Sequence, residues 1–400
     1  MSGPSIGIVG AGPGGLTLAL ACHYSGLTDL TIYEQAAAIE AVGAGLQLSP
    51  NATRVLQRIG LRAELEAISF YPQAVHFRAW RSGYLIAMRP LGRFSEARYG
   101  APYYHVHRGD LQQLLLERVR ALGITVRTDC ALATLRQDGG AVIANFADGS
   151  QHTHAVLVGC DGIHSAVRAA LLGDSSPRFT GHLAWRGVVP ADRLPRNLLE
   201  PVVTAWLGPR KHFVNYFVRS GELVNFVGVI EDASWQAESW REPGDPSHLR
   251  ADFAAWHPVI GRIIDAAEDV FRWALHDHAP LPAWTRDRVT LLGDACHPML
   301  PYLAQGAAMA IEDAWVLARM LEQWDEEPQR ALLEYQRYRQ PRTAQVQARS
   351  RQQGEEFHLA DRWQIMARNL KLGFGSRYLP ELAMQQFDWL HGYDCVKGFH

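Results

Sequence analysis

Three glycine-bearing segments, far apart in the 400-residue chain, hold the residues whose types and spacing could do chemistry. They are Gly10-Ala11-Gly12-Pro13-Gly14-Gly15, then Gly159-Cys160-Asp161-Gly162, then Gly293-Asp294-Ala295-Cys296-His297-Pro298. In the first, Gly10 permits a tight turn, Gly12 lets a pyrophosphate approach the backbone, and Gly15 lets a helix pack closely on a strand. The helix that follows would offer free N–H groups and its positive dipole end to the phosphates. Glu34, at the tip of the next apolar run, is placed to accept hydrogen bonds from a ribose, and it disfavours a 2′-phosphate there. Arg108, just before an amphipathic run, reads equally as a phosphate contact and as a solvated surface charge. His212 and Tyr216 stand an even number of residues apart in an alternating segment, which puts both side chains on one face of a strand. A single histidine there reads first as structural, and as a general base only with further support.

Each glycine segment needs an element on either side to position it. Ile6 to Val9 has buried-strand character, Leu16 to Ala21 suits a helix, and Leu30 to Tyr33 is a second strand ending at Glu34. Strand, glycines, helix, strand and acidic tip together predict a dinucleotide site, where the glycine pattern alone would not. Ala155 to Val158 and Val289 to Leu292 repeat this grammar, so Asp161 and Asp294 fall at carboxyl ends of strands, where ligands of open α/β sheets bind. Gly306 and Ala307 begin a helix whose N-terminus is expected to face an electron-rich ring. Gly43 to Asn51 reads as a turn into a helix, or as a glycine-lined backbone passing close to a flat ring. Asp110 is expected to cap the helix after Arg108, and Val126 to Leu135 is expected to be one strand.

The tryptophan-rich stretch from about 181 to 275 reads as strands of a second sheet, with more strands from Ile68 to Met88. After Pro328 a long amphipathic stretch runs to about Gly354 with an interruption expected near Pro341, and Phe357 to Asn369 reads as another helix. The fold class that follows is α/β: a Rossmann-like nucleotide domain, an interleaved β-sheet substrate domain and C-terminal helices. The boundaries drawn are 1–70, 101–180 and 276–327 for the nucleotide domain, 71–100 and 181–275 for the substrate domain, and 328–400 for the helices.

Composition narrows the function classes. A net charge of −2 with no basic run leaves no electrostatic footprint for nucleic acid. No stretch approaches ~18 unbroken apolar residues, and the first residues lack the pattern of a signal peptide, so neither a membrane partner nor export is expected. The five cysteines are scattered without metal-like spacing and read as reduced, buried thiols of a cytoplasmic protein. The 17 histidines show no paired-ligand spacing either, so no metal site is expected.

With these segments in hand, the chain resembles the group A FAD-dependent aromatic hydroxylases nearly end to end. It is most similar to the salicylate, 3-hydroxybenzoate and 6-hydroxynicotinate hydroxylases. The motifs that carry this are the three glycine segments, Gly181-His-Leu-Ala-Trp-Arg-Gly, His278-x-Pro-Leu-Pro-x-Trp, Ala304-Gln-Gly-Ala-x-Met-Ala-Ile-Glu-Asp-Ala and Trp389-Leu-His-Gly-Tyr-Asp. The resemblance implies FAD as cofactor, NADH or NADPH as reductant, O2, and a small hydroxylated aromatic or N-heteroaromatic acid as substrate, with or without loss of its carboxylate. It places Gly10, Gly12, Gly14, Gly15, Glu34, Gln35, Gln47, Arg108, Leu132, Asp161, Asp294, Gly306 and Ala307 at the cofactor, and Gln47, Pro301 and Tyr302 at the substrate. Oxygen would reach the ring from a flavin C4a-hydroperoxide, which is electrophilic, so removing a proton from a ring hydroxyl raises reactivity. The resemblance gives that task to His212, with Tyr216 bonding the same oxygen or relaying the charge.

This chain has Gln47 and Tyr302 where the 6-hydroxynicotinate enzymes carry histidines, which argues against that substrate. Arg186 and Arg210 are candidate carboxylate clamps, although a structural or solvated role suits each better. A homodimer is the one protein partner expected. Two other readings stay open at this point: a flavin oxidoreductase that inserts no oxygen, and a flavin-binding protein that senses redox state.

Overall fold

A computed structural model gives the fold and describes residues 3–39, 43–173, 178–232 and 242–398. Residues 233–241, inside the tryptophan-rich stretch expected to supply strands, lie outside the described residues, as do Met1 and Ser2 of the signal-peptide reading. Ile6–Val9 lies between Leu30–Tyr33 and Val156–Gly159, parallel to both. Val289–Leu291 continues this parallel sheet beyond Val156–Gly159, and Thr125–Arg127 continues it beyond Leu30–Tyr33. Thr285–Arg286 closes one edge in antiparallel fashion. Ile6–Val9, Val156–Gly159 and Val289–Leu291 are buried along their whole length, so they read as apolar runs rather than alternations. Because they are adjacent in the sheet, all three glycine segments emerge side by side at its carboxyl edge.

A second, seven-stranded sheet runs Val270–Asp277, Arg178–Pro190, Leu223–Glu231, Lys211–Val218, Val203–Gly208, Ala74–Ala79, Leu85–Pro90. One face carries Trp185, Trp206, Phe213 and Phe226 against the helices Pro246–Asp252 and Pro258–Asp265. The opposite face carries Ala184, Ala205, Val229 and Trp273 against Leu300, Tyr302 and Phe357. Alternation along Lys211–Val218 therefore turns His212 and Tyr216 away from the outer helices, His212 toward the loop that follows the third glycine segment and Tyr216 toward Tyr103 and His105. A small sheet of Gly45–Leu48, Tyr104–His107 and Ser69–Phe70 lies beside them.

Four sequence expectations change. Val126 to Leu135 is two strands in different sheets, Thr125–Arg127 and Leu132–Asp138. Asp129 turns the chain between them at φ 57°, a conformation Asp tolerates, while Asp129 N–H and Cys130 N–H bond to the Ala36 and Glu34 carbonyls. Asp110 is not a cap: the helix Arg108–Ala121 starts earlier, and the Asp110 carboxylate accepts from Nε and one terminal nitrogen of Arg219 at 2.9 and 2.6 Å. The helix Pro328–Phe357 runs unbroken through Pro341. A proline inside a helix costs about 3 kcal/mol, and here its flanking Arg339 and Arg342 are clamped by buried ion pairs to the preceding helix. Finally, Phe357 to Asn369 is not one helix, because Asp361 starts a new one, Arg362–Tyr378, by accepting from the N–H groups of Trp363 and Gln364. That helix turns Trp363, Met366, Leu370, Phe374 and Tyr378 to solvent. The tail docks, with Leu390 and Cys395 buried. Among the described residues no helix is long and apolar enough to cross a membrane.

Candidate active site

At the carboxyl edge of the parallel sheet the first two glycine segments touch. A Cβ on Gly10, which has φ +108°, would lie 2.4 Å from the Cys160 carbonyl oxygen, and one on Gly15 would lie 2.1 Å from the Gly10 carbonyl oxygen. A Cβ on Gly12 would meet nothing within 4 Å. Gly12 is also the N-cap of the helix Pro13–Tyr24, and no side chain caps its free N–H groups. The helix Gly306–Gln323 likewise starts without a side-chain cap. Both helices thus begin with bare N-termini, one beside open space at Gly12 and one beside Asp294 and Met299 at Gly306, the arrangement that binds anionic or electron-rich groups. Glu34 accepts from Ala11 N–H at 2.8 Å and Ala36 N–H at 3.0 Å, leaving each carboxylate oxygen a further lone pair for a hydroxyl donor.

Asp294 and Arg108 line the same groove. The Asp294 carboxylate lies 3.9 Å from where a Gly306 Cβ would stand, and a Gly43 Cβ would stand 2.8 Å from that of Arg108. Solvent reaches Asp294 along the groove, yet protein closes around it, and that enclosure pushes its carboxyl up while His297 and Arg108 pull it back. Asp161 turns inward instead. It accepts from the Ser165 hydroxyl and, at 3.1 Å, from Val167 N–H, so it fixes its loop rather than reaching out of it.

A buried charge cluster holds the third glycine segment. Asp313 accepts from Gly293 N–H at 3.2 Å and faces His297 Nε2 at 2.5 Å, while Arg339 reaches Asp313 and Glu312 at 2.6 Å each. Arg342 adds two bonds to Glu312, and Asn51 adds another at 2.7 Å. Burial alone would push both carboxyls up. The surrounding Arg339, Arg342 and His297 charges outweigh it and leave both below their ordinary range. From the same long helix, Gln347 and Ser350 bond the Pro298 and Leu300 carbonyls, and Gly354 makes room for the Tyr302 ring. The loop from Pro298 to Ala304 is therefore set by the C-terminal helix.

Beside that loop stands a group of histidines. His212 Nδ1 lies 2.7 Å from His358 Nε2, and the Tyr302 hydroxyl lies 2.9 Å from His182 Nδ1. The His212 ring packs against Tyr302, Phe357 and His358. Burial pushes His212 down to about 3 and His358 down to about 2, so both are neutral at pH 7. Glu231, half exposed, stands 3.7 Å from His358 Nδ1, and its carboxyl is pushed up by partial burial.

Tyr216 sits elsewhere on the same strand. Four residues at a rise of about 3.3 Å separate its Cα from that of His212 by roughly 13 Å. Its ring packs on His105 at 4.7 Å and against Gly45 and Asn225 neighbours that His212 does not share. The Tyr103 hydroxyl donates to Gln47 Oε1 at 2.7 Å, and the Gln47 amide in turn bonds the Tyr216 hydroxyl. Burial pushes the Tyr216 phenol well up, so it stays a neutral donor. Asn225 accepts from Gly45 N–H at 2.7 Å, but its buried Nδ2 has no partner, nor does the buried Nε2 of His105. His212 and Tyr216 thus share a strand face but not their neighbours: Tyr302, Phe357 and His358 surround the first, and His105, Gln47 and Asn225 the second.

A family model described as an FAD binding domain matches residues 4–350. The chain belongs to this family of FAD-dependent monooxygenases. It is 42% identical over 393 residues to a 3-amino-4-hydroxybenzoate 2-monooxygenase, PtnB3, of Streptomyces platensis, covering 98% of this chain and 97% of the relative. It is 39% identical to a 6-hydroxynicotinate 3-monooxygenase of Bordetella bronchiseptica, covering 80% of this chain and 83% of that one. Among solved structures, Klebsiella pneumoniae HpxO complexed with FAD and uric acid superposes with a TM-score of 0.84 at 28% identity, covering 97% of each chain.

FAD suits the groove of this monooxygenase. Gly12 and its helix would hold the pyrophosphate, Glu34 the adenosine ribose, and Asp294 with the N-terminus at Gly306 and Ala307 the flavin end. Of the other residues named from sequence, Gln35 and Pro301 are exposed and Leu132 is half-buried against the nucleotide-side core. Arg186 lies against the Phe271 and Trp273 rings, and Arg210 is exposed near Glu231. His105, His182, Asn225, Glu231 and His358 were not anticipated. Alternation in Tyr104-His105-Val106-His107 was a usable signal for His105; nothing local marks His358. Two donor groups also gather in space despite their scattered spacing: His182 with Glu231 and His358, and Cys296 with His297 and Asp313.

Proposed function

We propose that this monooxygenase hydroxylates a benzoic acid whose ring hydroxyl lies para to its carboxylate, with 3-amino-4-hydroxybenzoate as the first candidate. The observation that carries this is the separation of His212 from Tyr216 along one strand. A base at one end and neutral donors at the other match an aromatic acid lying lengthwise, hydroxyl toward His212 and carboxylate toward Tyr216 and the unpartnered Asn225 amide. The substrates named for the Streptomyces and Bordetella relatives both have this para arrangement.

Bound FAD, reduced by NADH or NADPH, supplies an electrophilic oxygen atom derived from O2. The protein's part is to hold the ring and raise its electron density. His212 Nδ1 is occupied by His358, so Nε2 is the nitrogen that accepts the hydroxyl proton. Being neutral at rest, it is in the correct state to do so. The oxyanion feeds density to the carbons ortho and para to it, and the C3 amino group enriches C2, which is meta to the oxyanion. Gln47 orients Tyr216, and Tyr302, fixed by His182, closes the wall beside His212.

The test is NADH and NADPH consumption by the FAD-loaded protein against hydroxybenzoates and hydroxypyridine carboxylates with para and meta arrangements, scoring peroxide alongside. Para-hydroxy acids should stimulate flavin reduction with little peroxide. Equal stimulation by meta isomers, or none by any acid, would contradict the proposal.

A further inference from the structure

Resting on the reading of His212 as the base, we propose that the proton it takes leaves the active site through His358 to Glu231 at the protein surface. His212 is 4% exposed and its ring is enclosed by Tyr302, Phe357 and His358, so the proton has no direct route to water. The hydrogen bonds fix one consistent set of tautomers. If Nε2 of His212 is to accept, its Nδ1 carries hydrogen and donates to His358 Nε2 at 2.7 Å. His358 then carries hydrogen on Nδ1, which is buried, has no hydrogen-bond partner, and faces Glu231 Oε1 at 3.7 Å. The Glu231 side chain is 39% exposed, so rotating its carboxylate closes that gap and returns it to solvent.

The transfer balances without any redox change. The substrate O–H bond breaks and His212 gains hydrogen on Nε2; His212 Nδ1 gives its hydrogen to His358 Nε2; His358 Nδ1 gives its hydrogen to the Glu231 carboxylate. The net result is a substrate oxyanion and a protonated Glu231, which loses its proton to water.

Three features favour this path. His212 and His358 are both neutral at rest, so neither arrives already loaded. Burial pushes the Glu231 carboxyl up, against the pull of Arg210, whose Nε stands 3.8 Å from its other oxygen. His358 is also the C-cap of the helix Pro328–Phe357, where the negative end of the dipole favours a passing imidazolium. The path explains how a base whose burial disfavours its charged form still deprotonates a phenol: the proton need not stay on it. The other groups facing His358 are His182 and Tyr302, which bond each other and have no part in the chain of donors.

The experiment follows proton release with a pH-indicator dye in stopped flow as the FAD holoenzyme binds 3-amino-4-hydroxybenzoate. His358→Gln keeps an acceptor for His212 but cannot pass a proton on, and Glu231→Gln removes the terminal acceptor. Each should slow proton release by about a hundred-fold with ligand affinity and FAD content unchanged, and added imidazole should restore the rate in His358→Ala. Release at the wild-type rate in His358→Gln overturns the relay while leaving the substrate reading intact. So does zinc or another transition metal held stoichiometrically by the purified holoenzyme and stripped by His358→Ala, since a cation would then occupy this cluster. Failure of the wild-type holoenzyme to bind any para-hydroxy aryl acid overturns the substrate reading and the relay with it.

Discussion

His297 Nε2 stands 2.5 Å from Asp313 Oδ2, and the same oxygen accepts the Gly293 N–H, so one carboxylate fixes both ends of the third glycine segment. Asp313 is in turn held by Arg339 from the long C-terminal helix. The long C-terminal helix is thus part of the scaffold that sets the loop of the third glycine segment.

Removing Arg339 takes the guanidinium that joins two buried carboxylates, leaving Glu312 with Arg342 and Asn51 and Asp313 with His297. Arg339→Met should lower stability by about 3–5 kcal/mol, seen as a drop in denaturant midpoint, and should lower FAD content as the Gly293 loop loosens. Arg339→Lys should rescue only in part, because an ammonium cannot bridge both carboxylates as the guanidinium fork does. An unchanged midpoint in Arg339→Met would refute the scaffold role.

Two glycines separate structure from cofactor binding. Gly15→Ala places a Cβ against backbone 2.1 Å away and should destabilise the apoprotein and abolish FAD retention together. Gly12→Val points into open space, so the apoprotein should melt as wild type does while FAD affinity falls. Thermal melts with and without FAD, paired with flavin absorbance after gel filtration, distinguish the two.

His212→Gln should reduce the hydroxylation rate by about 10²–10⁴-fold with little change in substrate affinity. Its remaining activity should rise with pH, since the substrate hydroxyl must then ionise unaided. A variant with the wild-type rate and pH profile would remove His212 from catalysis.

Buried histidines set the acid limit of the fold. Burial pushes His105 and His212 down to about 3, against about 6.5 when unfolded. Between those values the unfolded chain binds more protons than the native one. Stability is therefore full above about pH 6.5 and falls as pH drops toward 3, by about 1.4 kcal/mol per pH unit for each such histidine. His105→Gln should make the fall in unfolding free energy between pH 6.5 and 5 shallower by that amount. Equal slopes would contradict the assignment.

The nucleotide half was legible because its chemistry is local. Gly10, Gly12 and Gly15 act within a few residues of one another, and Glu34 ends the neighbouring strand. The face shared by His212 and Tyr216 was also legible, from the period of a strand. Their different surroundings were not, because those partners come from elsewhere: His358 is 146 residues from His212, and His105 is 111 residues from Tyr216. Pro341 misled for a related reason. Its helix is kept intact by ion pairs to Glu312 and Asp313, and a local reading sees only the proline.

In the proposed reaction, electrons and O2 place oxygen on a para-hydroxy aryl acid. The most direct measurement is turnover of 3-amino-4-hydroxybenzoate with NADH under isotopically heavy O2 gas, followed by mass spectrometry of the product. One heavy oxygen atom is expected in a new ring hydroxyl, and none when the label is supplied in water. Product without label, or NADH consumed with all of the oxygen recovered as peroxide, would contradict it.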